Sequence, residues 1–307
     1  MSSSAGPIAY RNGQFIAAEE LAVAVFDSGF VLGTTITEQM RTFGGQLFRL
    51  PEHLARFRRS LEIIGLRLPY DDNQLLAAAQ RLVKENHALL AEGDDFGLCL
   101  FATPGPYPTM VPPGETEPTV VMHTFPVPFR LFAPIYQDGQ RLACTSVPQI
   151  PAESLPRELK CRSRVHYYLA DQEAGRKDAN SRALMLDADG CVLESTTANV
   201  LVYLRHEGLI SPPQQRILPG ISVAATLEIA SHLGIPHTHR ELTVEDFANA
   251  DEAFLTSTSV CILPVVALDG KPIGNGAPGK VFQQLLLGWD ELVGVQIARQ
   301  AVRFANR

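Results

Sequence analysis

The sequence predicts an α+β fold made of two portions of the chain, and three observations favour it. The dipeptides Asn12-Gly13 and Asp189-Gly190 each stand between apolar segments, which is the usual pattern of a tight β-hairpin turn. Leu75, Ala78 and Leu82 recur at helical spacing, so helices accompany these hairpins. A chain of 307 residues is long enough for two domains, each with its own core.

The N-terminal portion is predicted to contain hairpin strands, longer strands and two helices. In chain order we expect a hairpin around Asn12-Gly13, a strand through Glu38–Phe43, helices over 51–64 and 72–91, and strands near 97–103 and 118–125.

The C-terminal portion begins near residue 140 and carries strands and three helices. One helix follows Lys160, and another begins at Gly220 and closes at Gly234, because glycine suits the position after a helix C-terminus. A terminal helix is predicted near 279–286, and the alternating run before Asp189-Gly190 indicates strands on both sides of that turn.

Composition and charge describe an ordinary globular chain. Hydrophobic residues make up 46% of the sequence, and the net charge of -7, without basic runs, argues against nucleic-acid binding. No apolar stretch is long enough to span a bilayer, and residues 1–6 lack a secretory signal, so we expect a cytoplasmic protein without a membrane partner.

Cysteine and histidine usage gives no metal site. The cysteines are scattered and odd in number, so we expect reduced, mostly buried thiols. His237 and His239 form the only close histidine pair, and they have no carboxylates or cysteines at ligand spacing. We therefore predict that the protein binds no metal.

Lys160 is the candidate reactive residue. The chain has only five lysines, and arginine supplies nearly all the other positive charge. A lysine amine can lose its proton and act as a nucleophile, whereas an arginine cannot. The alternative is a solvated lysine at a junction between a loop and a helix.

Motifs elsewhere in the chain favour a reactive Lys160 over a solvated one, and these motifs occur in a fixed order. The motifs are His53-Leu54-Ala55-Arg56-Phe57, Leu159-Lys160, Glu194-Ser195-Thr196-Thr197-Ala198-Asn199, Leu218-Pro219-Gly220-Ile221-Ser222 and Thr256-Ser257-Thr258. Each is weak alone, but in this order and spacing the chain resembles the class IV family of pyridoxal-phosphate enzymes, which includes branched-chain aminotransferases, D-amino-acid aminotransferases and aminodeoxychorismate lyase. The resemblance runs over nearly the whole chain.

The resemblance implies pyridoxal 5′-phosphate as the cofactor. Lys160 would hold it as a Schiff base and move a proton at the substrate α-carbon. Glu194 would pair with the pyridine nitrogen, since a carboxylate there favours the protonated ring that acts as an electron sink. The alternative interpretation of Glu194 is an acidic residue at the protein surface, at the end of a strand. Asn199 is interpreted as mainly structural.

The resemblance also implies a set of phosphate donors. Gly220, Ile221 and Ser222 open a predicted helix, whose N-terminal N–H groups favour a phosphate. Thr258 matches the family's second phosphate hydroxyl, and Arg56 matches its phosphate-contacting arginine.

The substrate side departs from the family pattern. Glu38 and Arg41 lie where the family lines its substrate pocket, although they could equally form an ion pair with each other. The stretch after Lys160 lacks the tyrosine of branched-chain members. Arg164, about one helical turn past Lys160, occupies a position where lyase-like members also carry arginine, and it could hold the ring oxygen or a substrate carboxylate. Tyr107 is a further candidate contact, in a segment (103–109) that lacks the Arg-x-His pair of the D-amino-acid branch.

The resemblance further implies a two-domain class IV fold: a small α/β domain, a larger pseudo-barrel domain, and the cofactor between them. We place these at residues 1–135 and 156–307, with a connector at 136–155. Family members are commonly homodimers, so a homodimer is expected.

The leading functional hypothesis is an aminotransferase that moves an amino group from a branched-chain-like amino acid to a 2-oxo acid. The short spacing after Lys160, together with Arg164, keeps an aminodeoxychorismate-type lyase open. A D-amino-acid aminotransferase and a non-catalytic homologue are less favoured.

Overall fold

The computed structural model describes residues 6–112, 114 and 116–307. The N-terminal stretch used for the secretory-signal prediction therefore lies almost entirely outside the described residues. Contacts divide the chain into two compact units. Unit 1 comprises residues up to Val127 together with Leu159–Ser163, and unit 2 comprises Pro128–Glu158 and Arg164–Arg307.

Unit 1 is an antiparallel sheet with helices. Its six strands run in the order β2-β1-β6-β5-β3-β4. In chain order the elements are β1 (Ile8–Arg11), β2 (Gln14–Ala17), α1 (Ser28–Val31), β3 (Ile36–Phe43), β4 (Gln46–Leu47), α2 (Leu50–Ile63), α3 (Asp72–His87), β5 (Phe96–Thr103) and β6 (Thr119–Pro126).

Local signals account for these elements. Asn12 and Gly13 both adopt positive φ, so the predicted tight turn joins β1 to β2. Asp71 forms a capping box with Gln74, which fixes the start of α3, and Leu75 and Leu82 are completely buried on one face. The helix ends at His87, four residues before the predicted position.

Unit 2 contains the larger sheet, and its strands close into a ring. β9 pairs with both β8 and β10, so β10, β13, β14, β7, β8 and β9 form a six-stranded pseudo-barrel. In chain order the elements are α4 (Phe129–Phe132), α5 (Ile135–Asp138), β7 (Gln140–Cys144), α6 (Val165–Lys177), β8 (Ser181–Leu186), β9 (Val192–Ser195), β10 (Ala198–Leu204), β11 (Gly208–Ser211), α7 (Ile221–His232), β12 (His237–His239), α8 (Val244–Ala248), β13 (Glu252–Ser257), β14 (Cys261–Leu268), β15 (Lys271–Pro272), α9 (Lys280–Val293) and α10 (Ile297–Arg303).

The α+β class and the pseudo-barrel are confirmed, whereas two details of the C-terminal portion differ from expectation. The stretch 136–155 is more than a connector, because β7 lies in it and pairs in parallel with β8 and β14. The terminal helix continues to Val293 and is followed by α10, since Gly294 in the left-handed region ends one helix just before the next. The domain bounds themselves stay a prediction.

The helices of the described residues include none that is long and apolar enough to cross a membrane. The five cysteines are free thiols, and Cys99, Cys161 and Cys261 are buried. Within the described ranges, no group of three or more His, Cys, Asp or Glu residues is placed to hold a metal ion.

Candidate active site

Lys160 lies in unit 1, on an extended segment that is fixed to β3. The Thr37 N–H donates to the Lys160 carbonyl at 3.0 Å, and the Arg162 N–H donates to the Thr35 carbonyl at 2.9 Å. The Lys160 N–H also donates to Ser60 Oγ on α2 at 3.1 Å. Lys160 is half-buried, whereas the other four lysines of the chain are exposed. Two bonds therefore hold the backbone of Lys160 itself, and a third holds the same segment at Arg162.

The expectation that Arg164 follows Lys160 by one helical turn is wrong. Residues 160–163 are not helical, Cys161 forms a bridge with Ile36, and Arg164 is the N-cap of α6. Side chains alternate along an extended segment, so Lys160 and Arg162 project to one side while the buried Cys161 projects to the other. Arg162, which the sequence reasoning missed, is the arginine that shares the side of Lys160.

A buried ionic cluster joins β3 of unit 1 to α2. Arg56 donates to Glu38 through Nε at 2.7 Å and through Nη2 at 2.8 Å, and His53 Nδ1 donates to Glu38 Oε2 at 2.8 Å. Glu38 is completely buried. Arg56, predicted to contact a phosphate, is thus held in a fixed orientation by a bidentate carboxylate.

The predicted ion pair between Glu38 and Arg41 is wrong. Three positions separate them along β3, so their side chains lie on opposite faces of the strand. The guanidinium of Arg41 packs over the Phe43 ring at 4.6 Å and is 1% exposed. Both side chains are buried, and their contact with a substrate stays a prediction.

The cluster shifts the pKa values of its two titratable members downward. Burial raises the pKa of Glu38, but the charge and hydrogen bonds of Arg56, with those of His53, outweigh it and bring that pKa to about 2. Burial lowers the pKa of His53, and the charges of Arg56 and Lys160 lower it further. His53 is therefore a neutral donor to an ionised Glu38 at neutral pH.

These shifts predict that the fold loses stability in acid. Glu38 has a lower pKa folded than unfolded, so its contribution is complete above pH 4.5 and is lost as pH falls towards 2. The contribution of Glu38 to the free energy of unfolding is about 3 kcal/mol. His53 adds a loss of the same sign below pH 6.5. Urea unfolding between pH 7 and 3 should show a falling unfolding free energy, with a flatter dependence below pH 4.5 in Glu38→Gln. Parallel curves for the two proteins would contradict the assignment.

In unit 2, Glu194 lies on β9 and is buried rather than at the surface. Tyr167 Oη, from α6, donates to Glu194 Oε1 at 2.6 Å, and Gln149 Nε2 donates to the same oxygen at 2.6 Å. Burial raises the pKa of Tyr167, and the negative charge of Glu194 raises it further, so the phenol keeps its proton. Two short hydrogen bonds thus fix one carboxylate oxygen.

The turn that follows Glu194 is held by its own contacts. Thr197 has φ of 61°, a conformation that β-branched residues rarely adopt. Arg182 donates to the Thr196 carbonyl and to Thr197 Oγ1, and Thr196 Oγ1 donates to Asp171 Oδ1 at 2.8 Å. These bonds hold the strained turn in place.

A row of paired residues connects Glu194 to the start of α7. Asn199 on β10 pairs with Glu194 on one side and with Thr256 on the other. Asn199 Nδ2 donates to the Leu218 carbonyl at 3.0 Å, and a Cβ at Gly220 would overlap Asn199 Oδ1. A glycine is therefore needed at this position.

The start of α7 has the features of an anion site. Gly220 is the N-cap and provides no side-chain cap, so the first N–H groups of a 12-residue helix, at Ile221 and Ser222, have no side-chain acceptor there. Ser222 is 7% exposed. The buried hydroxyl of Thr256 has no hydrogen-bond partner, and Thr258 lies in the turn after β13. An unpaired buried hydroxyl and an uncapped helix start fit a phosphate group.

Tyr107, the remaining substrate candidate, is half-buried in unit 1. Its N–H donates to the Phe26 carbonyl at 2.8 Å. The sequence reasoning missed the contacts of Gln149, Arg162, Tyr167 and Arg182. Each contact depends on which neighbouring strand or helix faces the side chain, and local spacing carries no signal of that.

Comparisons with known proteins identify the family of this chain. The sequence model of the family described as "Amino-transferase class IV" matches residues 35–268. The chain belongs to the class IV aminotransferases. A D-alanine aminotransferase from Bacillus licheniformis is 31% identical over 279 residues, which is 89% of this chain and 93% of that relative.

Solved structures of this family have the same fold. The branched-chain amino acid aminotransferase of Escherichia coli superimposes with a TM-score of 0.85 at 23% identity, over 96% of both chains. The branched-chain aminotransferase of Thermoproteus uzoniensis, solved with norvaline, gives a TM-score of 0.82 at 26% identity over 96% of this chain and 97% of that one. This class IV aminotransferase is thus a pyridoxal-phosphate-dependent transaminase of amino acids and 2-oxo acids.

Proposed function

We propose that the enzyme transfers the amino group of a branched-chain-like aliphatic amino acid to a 2-oxo acid, with pyridoxal 5′-phosphate bound through Lys160. The supporting observation is that Lys160 is the one half-buried lysine of the chain and has its backbone anchored to β3 and α2. A homodimer and a cytoplasmic location stay predictions.

In this proposal the chain's own residues have distinct tasks. The cofactor supplies an electron sink when bound. Lys160 Nζ holds it and carries the proton to and from the substrate α-carbon. Glu194, fixed by Tyr167 and Gln149, keeps positive charge on the pyridine nitrogen.

The phosphate would be held by the N–H groups at the start of α7, with the hydroxyls of Ser222 and Thr258. Arg56 would add a charge-assisted bond, because its bidentate contact with Glu38 fixes the orientation of the guanidinium. Arg164, at the N-cap of α6, remains a predicted cofactor or substrate contact.

D-alanine is the second candidate substrate, since the relative at 31% identity is a D-alanine aminotransferase. Against it, the segment 103–109 contains prolines and Tyr107 in place of the Arg-x-His pair of that branch. An aliphatic L-amino acid is therefore favoured.

A substrate panel tests this choice. Purified holoenzyme should transfer the amino group of L-leucine or L-valine to 2-oxoglutarate with a kcat/KM at least about ten-fold above that for D-alanine, the effect of one good pocket contact. Faster transfer from D-alanine would support the second candidate. Elimination to pyruvate from aminodeoxychorismate without amino transfer would support the lyase alternative.

A further inference from the structure

A cavity of about 360 Å³ in unit 1 has one charged residue in its wall. The wall is mainly apolar, and Arg162 contributes the guanidinium. The rest of the wall includes the apolar side chains of Val23, Val25, Phe30 and Phe101 and the hydroxyl of Thr35. An apolar cavity with one well-placed polar group is the usual form of a small-molecule site.

Arg162 has no carboxylate partner among the residues that the structure describes. Its Nη2 contacts Cys99 Sγ at 3.3 Å, and sulfur is a weak acceptor. The other arginine near Lys160, Arg56, is by contrast held by the buried Glu38. A substrate carboxylate that enters this cavity would therefore not have to compete with a protein carboxylate for the guanidinium of Arg162.

A second basic side chain, His123, lies beside Cys99 in the neighbourhood of Arg162. Burial raises the pKa of Cys99, but its hydrogen bond with His123 and the charges of Arg162 and His123 outweigh burial and lower that pKa. Cys99 and His123 are directly opposite each other on β5 and β6, so His123 adds to the same region. The basic side chains of Arg162 and His123 both favour a bound carboxylate in this region.

The position of Arg162 relates this cavity to Lys160. The two residues are two positions apart in the chain, roughly 7 Å along an extended backbone, and alternation about the buried Cys161 places both side chains on the same side. A substrate α-carboxylate is attached to the carbon that the proposed lysine chemistry acts on, so its binding group must lie close to the lysine.

We propose that Arg162 binds the α-carboxylate of the amino acid and 2-oxo acid substrates, and that the apolar wall formed by Val23, Val25, Phe30 and Phe101 takes the aliphatic side chain. This inference rests on the proposed function, since it presumes that Lys160 holds the cofactor.

Calorimetry on the holoenzyme tests the assignment with two unreactive probes, 4-methylpentanoate and the neutral 4-methylpentanamide. Charged hydrogen bonds contribute enough for the acid to bind about ten- to hundred-fold more tightly than the amide in wild type. Arg162→Gln should reduce this preference to below about two-fold, and Arg162→Lys should restore part of it. Arg67→Gln, which removes an exposed arginine of the same unit, should leave the preference unchanged.

Kinetics provide the second measurement. Arg162→Gln should raise KM for both donor and acceptor about ten- to hundred-fold with a smaller change in kcat. Equal binding of acid and amide in wild type, or an unchanged preference in Arg162→Gln, would overturn the assignment. Borohydride labelling distinguishes failure of the proposed function from failure of the Arg162 assignment. If Lys160 carries no label in wild type, the proposed function is overturned. If labelling is normal but Arg162→Gln still prefers the acid over the amide as wild type does, only the role of Arg162 is overturned.

Discussion

Replacing Lys160 with alanine is expected to lower kcat for amino transfer by about 10⁴-fold or more, because the variant loses both the amine that holds the cofactor and the group that moves the proton. Borohydride reduction of wild type should leave the cofactor covalently attached to a peptide containing Lys160, and the variant should carry no such label. Steady-state kinetics and peptide mapping measure the two effects.

Lys84→Ala is the matched control, since Lys84 is exposed on α3 of the same unit. It should retain wild-type turnover and labelling. Label on Lys84 or Lys177 in wild type, or substantial turnover by Lys160→Ala, would remove Lys160 from its proposed role.

Replacing Glu194 with glutamine is expected to lower kcat by about 10²–10³-fold while the cofactor stays bound, because a neutral amide no longer favours a protonated pyridine nitrogen. The ¹⁵N shift of labelled cofactor should move towards that of an unprotonated ring. Near-normal turnover with an unchanged shift would exclude this role.

Tyr167→Phe tests the same interaction from the other side. It removes one of the two donors to Glu194 Oε1, so turnover should fall about ten-fold, the effect of one hydrogen bond to a charged group. Tyr168→Phe, at the exposed next position, should have no effect. Equal effects of the two changes would indicate that Tyr167 only packs.

The parts of the fold predicted correctly are those that short-range chemistry determines. Asn12-Gly13 and Asp189-Gly190 specify their turns because glycine adopts positive φ without strain, and Gly234 ends α7 for the same reason. The helix after Lys160 starts later than its spacing indicated, since pairing of Cys161 with Ile36 keeps this segment extended. That pairing joins residues far apart in sequence, and no local pattern reports it.

The candidate site divides in the same way. Gly220 and Glu194 belong to contiguous motifs, which is why the sequence marks them, and their roles towards a phosphate and a ring nitrogen stay predictions. The partners of these groups were not predictable, because a buried carboxylate such as Glu38 takes whichever donors the neighbouring helix presents. Arg162 was missed because sequence spacing does not show which cations have no carboxylate partner among the described residues.

The chain enters unit 1 twice, first with residues up to Val127 and again with Leu159–Ser163. During synthesis on the ribosome, the residues up to Val127 emerge well before Leu159–Ser163. The backbone bonds that this second segment makes to Thr35 and Thr37 therefore form late. A polypeptide terminated at residue 127 would contain all six strands of its sheet and yet lack the lysine. The segment that carries Lys160 is therefore the last part of unit 1 to be synthesised. A fragment released before this segment cannot hold the cofactor through Lys160.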